Sequence, residues 1–166
     1  LATFHRMENL FSGPRLWKIL DALRRIGARH KVCLVLHNST EARIRAKGLM
    51  TTLESIPGIR LLPMQPYDRF LALIRGAEFV LSDGGSIQEE CAALGVPCLI
   101  LRHRTERPAG IGGNAVLWNF DDTVLAGFLD SFREHRRPPS WDEGTSPARC
   151  IAEALASRDA RTEAAG

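Results

Sequence analysis

Apolar residues along the chain change their period repeatedly, and each change marks an element. Leu1 to Phe4 is short and extended. Leu16, Ile19, Leu20, Leu23 and Ile26 then recur at helical spacing, which predicts a helix over 14–29 with Pro14 near its first turn. Lys31 to Leu36 is a nearly continuous apolar run, the signature of a strand buried on both faces. The segment from Thr40 to Leu53 reads as one helix ending before Pro57-Gly58, and 59–62 as a strand. A helix over 68–77 follows, for which Gly76 suits the C-cap. Then come a strand at 78–82, a helix at 86–95 and a strand at 97–101.

After a polar loop, 114–118 is a last strand. Val124, Leu125, Phe128, Leu129 and Phe132 form one stripe of a helix over 121–135. A proline-rich connection over 136–147 leads to a closing helix at 148–157, and 158–166 is a polar tail. Strand and helix alternate about six times with short connections, which predicts an α/β fold: a parallel sheet with helices on both faces. Residues 1–157 are expected to form that single domain. Ligands of such sheets bind outside the carboxyl ends of the strands, so the loops after each strand are the places to search.

Composition narrows the field. With 166 residues, 45% of them apolar, the chain can bury one sizeable core, and 25% charged residues argue against disorder. A net charge of +3 is too small for a dense nucleic-acid-binding surface. No apolar run is long enough to span a membrane. Four cysteines without a CxxC pair, three of them inside apolar segments, suggest reduced thiols and a cytoplasmic setting. The chain starts without Met and within a strand, as expected of one half of a longer protein.

Three loops could carry chemistry. Ser82 to Glu90 reads SDGGSIQEE: a buried strand, a Gly84-Gly85 turn, then a helix opened by Ser86. Two glycines let a ligand oxygen approach the backbone, and the first helix amides carry partial positive charge, so this is an anion site. The same letters also spell a capping box, with Ser86 and Glu89 satisfying helix amides. His5 to Asn9, reading HRMEN, places His5 and Arg6 at the end of the first strand. Arg102 to Trp118 gathers Arg102, Arg104 and Arg107 with His103 beside a glycine-rich run, and His37 ends the second strand. The five histidines show no metal-ligand spacing, and no dinucleotide fingerprint, P-loop or GxSxG elbow is present.

HRMEN, LVLHN and SDGGSIQEECAALGVPCLILRHRTERPAGIGGNAVLW together resemble the non-hydrolysing UDP-N-acetylglucosamine 2-epimerases over nearly all of residues 1–157. The resemblance implies the Rossmann-like C-terminal half of a two-domain GT-B-type enzyme, with the active site between the halves. It implies that Gly84, Gly85 and Ser86 hold the UDP diphosphate and that Glu90 binds the ribose. His5 lies near the reaction centre as the catalytic residue. Arg6, Glu8 and Asn9 build the surrounding loop, while Arg102, Glu106 and Arg107 border the same cleft. Uracil is expected around Leu62 to Tyr67, and His37 is carried over as a further substrate-binding residue.

The implied reaction interconverts UDP-GlcNAc and UDP-ManNAc by elimination and re-addition of UDP, with no cofactor and no metal. The implied partners are UDP-GlcNAc or UDP, the absent N-terminal domain with its C2 acid/base carboxylates, and a second copy in a homodimeric parent. Nucleic acid and membrane are not expected partners. The isolated chain is expected to bind UDP without turnover. Two departures stand out: Asp-Gly-Gly-Ser replaces the family's Asp-Ser-Gly-Gly at 83–86, and GIGGNAVLW replaces its acidic, Val-rich stretch. The alternatives are a GT-B glycosyltransferase donor domain and a non-catalytic nucleotide-sugar-binding paralogue.

Overall fold

The computed structural model describes residues 1–140 and 150–155. Six short strands build one sheet: β1 (Ala2–Thr3), β2 (Val32–Val35), β3 (Ile59–Leu62), β4 (Val80–Ser82), β5 (Cys98–Ile100) and β6 (Ala115–Leu117). Every pairing is parallel, in the order β3-β2-β1-β4-β5-β6. The connecting helices are α1 (Met7–Leu10), α2 (Gly13–Gly27), α3 (Asn38–Ala46), α4 (Met50–Glu54), α5 (Tyr67–Gly76), α6 (Gly85–Leu94) and α7 (Asp122–Ser131). A 3-10 turn, Phe132–His135, follows α7. The α/β sheet of six parallel strands is therefore as the periodicity predicts.

Alternation along the strands explains cover on both faces. Leu81, Leu99 and Leu101 join one core with Leu16, Ile19 and Leu23 of α2 and with Leu125 and Phe128 of α7. Their neighbours Val80, Cys98 and Ile100 point the other way, into a core with Ile74 of α5 and Cys91 of α6. A strand apolar on both sides can exist only between two helical layers. The order of strands matters for function. β1 leads through α2 to β2 on one side, whereas β4 leads through α6 to β5 on the other. The chain therefore diverges at the adjacent carboxyl ends of β1 and β4, leaving a crevice there.

Several boundaries differ from the sequence expectation. The helix expected over 40–53 is broken into α3 and α4. Gly48 takes a left-handed φ of 65°, with its N–H on Arg45 O at 2.9 Å and that of Leu49 on Ile44 O at 3.0 Å. That is a Schellman ending, which stops a helix despite continuing apolar periodicity. Gly76 is the last helical residue rather than the cap; extended Ala77 follows it. The helix expected over 121–135 tightens into the 3-10 turn at Phe132. Met7–Leu10, expected as loop, is a single helical turn. Of the closing helix expected at 148–157, residues 150–155 are helical; the proposed boundary at 157 and the tail at 158–166 lie outside the described residues.

Gly95 ends α6 with φ 66°, and a Cβ there would lie 1.9 Å from Arg137 O. Only glycine lets the chain at Arg137 return against this helix end. No helix among the described residues is long and apolar enough to cross a membrane.

Candidate functional site

The site forms where β1 and β4 end side by side. β4 delivers Asp83, 1% exposed, immediately before Gly84. Its carboxylate accepts the backbone N–H of His5 at 3.0 and 3.2 Å, that of Arg6 at 3.0 Å, and Asn9 Nδ2 at 2.9 Å. Arg6 Nε donates to the carbonyl of Asp83 at 2.8 Å, and Asn9 Nδ2 also reaches Leu101 O at 2.9 Å. One buried carboxylate thus ties the loop after β1 to the turn after β4. Asn9 belongs to the loop the sequence points to, but Asp83 was not singled out as a site residue. Its signal is a charged residue closing a short strand whose residues, Val80 to Ser82, are all buried.

Gly84 is the N-cap of α6 and offers no side-chain cap. The capping-box alternative therefore fails: Ser86 lies inside the first turn, and Glu89 pairs with Arg107 at 2.8 Å. The first intrahelical acceptor bond in α6 is Gln88 N–H to Gly84 O, 3.1 Å. The amides of Gly85, Ser86 and Ile87 precede it and have no acceptor within the helix. These first-turn amides lie beside a concavity of about 620 Å³ lined by His5, Arg6, Met7, Glu8, Gly84, Gly85 and Ser86. A Cβ on Gly84 would lie 3.4 Å from His5 Cε1, and one on Gly85 3.3 Å from Arg107 Cγ. Bare glycine keeps this wall low.

A smaller concavity, about 130 Å³, shares His5 with His37, Met64, Gln65, Phe70 and Ile87. The His5 and His37 rings stack with centroids 5.0 Å apart. His37 is also the N-cap of α3, its Nδ1 lying 3.0 Å from Ser39 Oγ.

The arginines sit near the site but are already matched. Arg102, 8% exposed, holds Glu8 Oε1 at 3.2 Å and Glu106 Oε2 at 2.8 Å. Glu106 Oε1 also holds Arg6 at 3.3 Å. A hydrogen bond from its own backbone and the Arg102 guanidinium lower the Glu106 carboxyl to about 2. Gln88, buried in α6, clasps this loop. Its Nε2 donates to Arg107 O and Ala109 O at 2.9 and 2.7 Å, and its Oε1 accepts from Thr105 at 2.8 Å. Sequence reasoning missed Gln88, which looks like any polar helix residue until the loop is folded over it.

Glu90 lies one turn into α6. Burial pushes its carboxyl up, a hydrogen bond from the Tyr67 hydroxyl partly offsets this, and Oε2 is buried without a partner. Glu90 lines neither concavity, and its Oε2 is a buried acceptor left unsatisfied within the folded chain. Elsewhere, a groove of about 400 Å³ at the amino ends of the strands, with Ile26, Val32, Phe79 and Leu81 in its walls, is predominantly apolar. No cluster of metal-ligating side chains occurs among the described residues.

A family model described as UDP-N-acetylglucosamine 2-epimerase matches residues 1–133. The chain belongs to the UDP-N-acetylglucosamine 2-epimerase family. The Methanocaldococcus jannaschii protein of that name is 34% identical over 129 residues, 75% of this chain and 35% of the relative. The crystal structure of the M. jannaschii UDP-GlcNAc 2-epimerase in complex with UDP-GlcNAc and UDP aligns at a TM-score of 0.81 and 28% identity. That alignment covers 93% of this chain and 44% of the other. A UDP-2,3-diacetamido-2,3-dideoxy-D-glucuronate 2-epimerase of Pseudomonas aeruginosa is 35% identical over 107 residues, 64% of this chain and 29% of that relative. This epimerase-family chain thus spans about a third of the length of the curated relatives it matches.

Proposed function

We propose that this chain is the nucleotide-sugar-binding, C-terminal half of a GT-B-type enzyme that interconverts UDP-GlcNAc and UDP-ManNAc. The observation that carries the reading is the convergence of His5 and the uncapped start of α6 on one concavity at the divergence of β1 and β4. Backbone amides of Gly85 and Ser86 accept the diphosphate, with His5 beside them. Glu90, whose Oε2 lacks a partner, takes the ribose hydroxyls. The concavity bounded by Met64, Gln65 and Phe70 receives the uracil. Arg6, Arg102, Glu106 and Arg107 frame the cleft, and His37 supports His5 from the neighbouring strand.

Inversion at C2 by elimination needs a base for a weakly acidic proton and stabilisation of a departing diphosphate. This half supplies the second requirement with fixed dipoles that need no reorganisation as charge develops. The base comes from the N-terminal domain of the parent, which acts in the cytoplasm as a homodimer. The family match favours this reading over a glycosyltransferase donor domain.

Calorimetric titration of the chain with UDP tests the proposal, with ADP as the control. Saturable, uridine-selective binding that Glu90→Ala abolishes supports it, together with absence of turnover of UDP-GlcNAc. No saturable binding at millimolar UDP, either in the chain or after joining the N-terminal domain, overturns it.

A further inference from the structure

The buried carboxylate of Asp83 does more than join two loops. Three donors that cannot titrate converge on it: the backbone N–H groups of His5 and Arg6 and the Asn9 amide. Asn9 is held in that orientation because both groups facing its Nδ2, Asp83 and Leu101 O, are acceptors, and its Oδ1 is left without a partner. The carboxylate is therefore an acceptor with one neighbour whose hydrogen can be placed in two ways. That neighbour is the His5 ring, whose Nδ1 lies 3.6 Å from Asp83 Oδ1. The distance exceeds a hydrogen bond, and contacts of this kind in ligand-free sites commonly tighten when ligand binds.

The other groups around His5 do not compete for Nδ1. The His37 ring is stacked on it, and its own Nδ1 is engaged with Ser39. Arg6 points to Glu106 and to the Asp83 carbonyl. Backbone N–H groups of His5 and Arg6, both donating to the carboxylate, fix where the His5 main chain sits.

We propose that Asp83 is a positioning residue that selects the Nδ1–H form of His5, leaving Nε2 as the ring atom presented to the ligand in the concavity beside Gly84 and Gly85. The role of Nε2 toward a diphosphate rests on the reading given above; the choice of ring form does not. One atom is presented whichever charge the ring carries: a bare Nε2 accepts, and a protonated Nε2 donates to a phosphate oxygen. The same carboxylate keeps the ring from turning Nδ1 to the ligand.

Nitrogen-15 NMR of the histidine side chains tests this, with His5 assigned by its loss in His5→Ala. At pH about 9, well above the ordinary imidazole range, wild type is expected to show Nδ1 protonated and Nε2 bare. Asp83→Asn is expected to invert that preference. Asn9→Ala removes a hydrogen bond to the same carboxylate without touching the ring, so it lowers the melting temperature but keeps the Nδ1–H form. A purely structural role for Asp83 predicts no difference in ring form between the two variants. An Nε2–H ring in wild type, or the same ring form in Asp83→Asn and Asn9→Ala, overturns the inference. Because the wild-type measurement needs no variant, failure of Asp83→Asn to fold leaves the test intact. UDP added to wild type is expected to move the Nε2 resonance more than Nδ1. The Nδ1–H form without any response to UDP sinks the nucleotide reading and leaves the positioning role standing; a larger shift at Nδ1 overturns the positioning role.

Discussion

Replacing Glu90 with methionine is expected to make the ligand-free chain more stable while removing its affinity for UDP. Methionine matches the length of glutamate and places no acceptor in the position of the orphaned Oε2. Leaving a buried acceptor unsatisfied costs about 1–3 kcal/mol, while the lost Tyr67 hydrogen bond returns about 0.5–1.5. The balance is a gain of about 1 kcal/mol, or about 2–4 °C in melting temperature for a chain of this size. Its pH dependence identifies the cause. The folded carboxyl is raised above its unfolded value, mainly by burial. The native state therefore holds the proton longer than the unfolded state, and wild type loses stability as pH rises from the ordinary carboxylate range through the raised folded value. Methionine has no such loss, so the two stability curves run close in acid and separate towards neutrality. Urea unfolding at intervals from pH about 4 to 8 reads this directly. A variant less stable than wild type at neutral pH, or a difference that does not grow with pH, refutes the reasoning.

Gly85→Ala brings a methyl group to 3.3 Å from Arg107 Cγ, at the wall of the concavity; UDP affinity should fall about tenfold or more, as for a ligand group displaced from helix amides, with little change in melting temperature by calorimetry. Glu106, lowered to about 2, should titrate there by carbon-13 NMR. Its contribution to stability is present above the ordinary carboxylate pKa and is lost as pH falls towards 2, so Glu106→Gln should lessen the pH dependence of unfolding in that acid window. Gly95→Ala combines a left-handed backbone with a Cβ 1.9 Å from Arg137 O. It should cost about 1–3 kcal/mol or more, read as a lower urea midpoint.

Much of this arrangement is visible in one dimension because periodicity reports what each strand is buried against. The apolar runs ending at Ser82 and Leu101 carry residues for two cores, and no single-sided sheet accounts for them. The glycine turn after Asp83 is likewise legible as a strand-to-helix turn, with Gly84 standing at the N-cap of α6. Contacts that span the sheet were not. Arg102 meets Glu8 across 94 positions, and Asp83 meets His5 across 78. No local spacing encodes either. The capping box misleads for a related reason: Glu89 has a local use and a distant one, and Arg107 takes it. Gly48 shows the converse, a local signal overridden in the reading by apolar positions that continue past it.

The matched charges around the cleft have a kinetic consequence. Arg6, Arg102 and Arg107 are paired with Glu106, Glu8 and Glu89, so most of their field is cancelled a few ångströms away. A cleft of that kind does not draw anions from a distance. On the function proposed above, a nucleoside diphosphate is expected to arrive at an ordinary diffusional rate that changes little with ionic strength, and to be selected after contact, by how long the first-turn amides of α6 hold its phosphates and Glu90 its ribose. Polyanions present in excess gain no lead in that race.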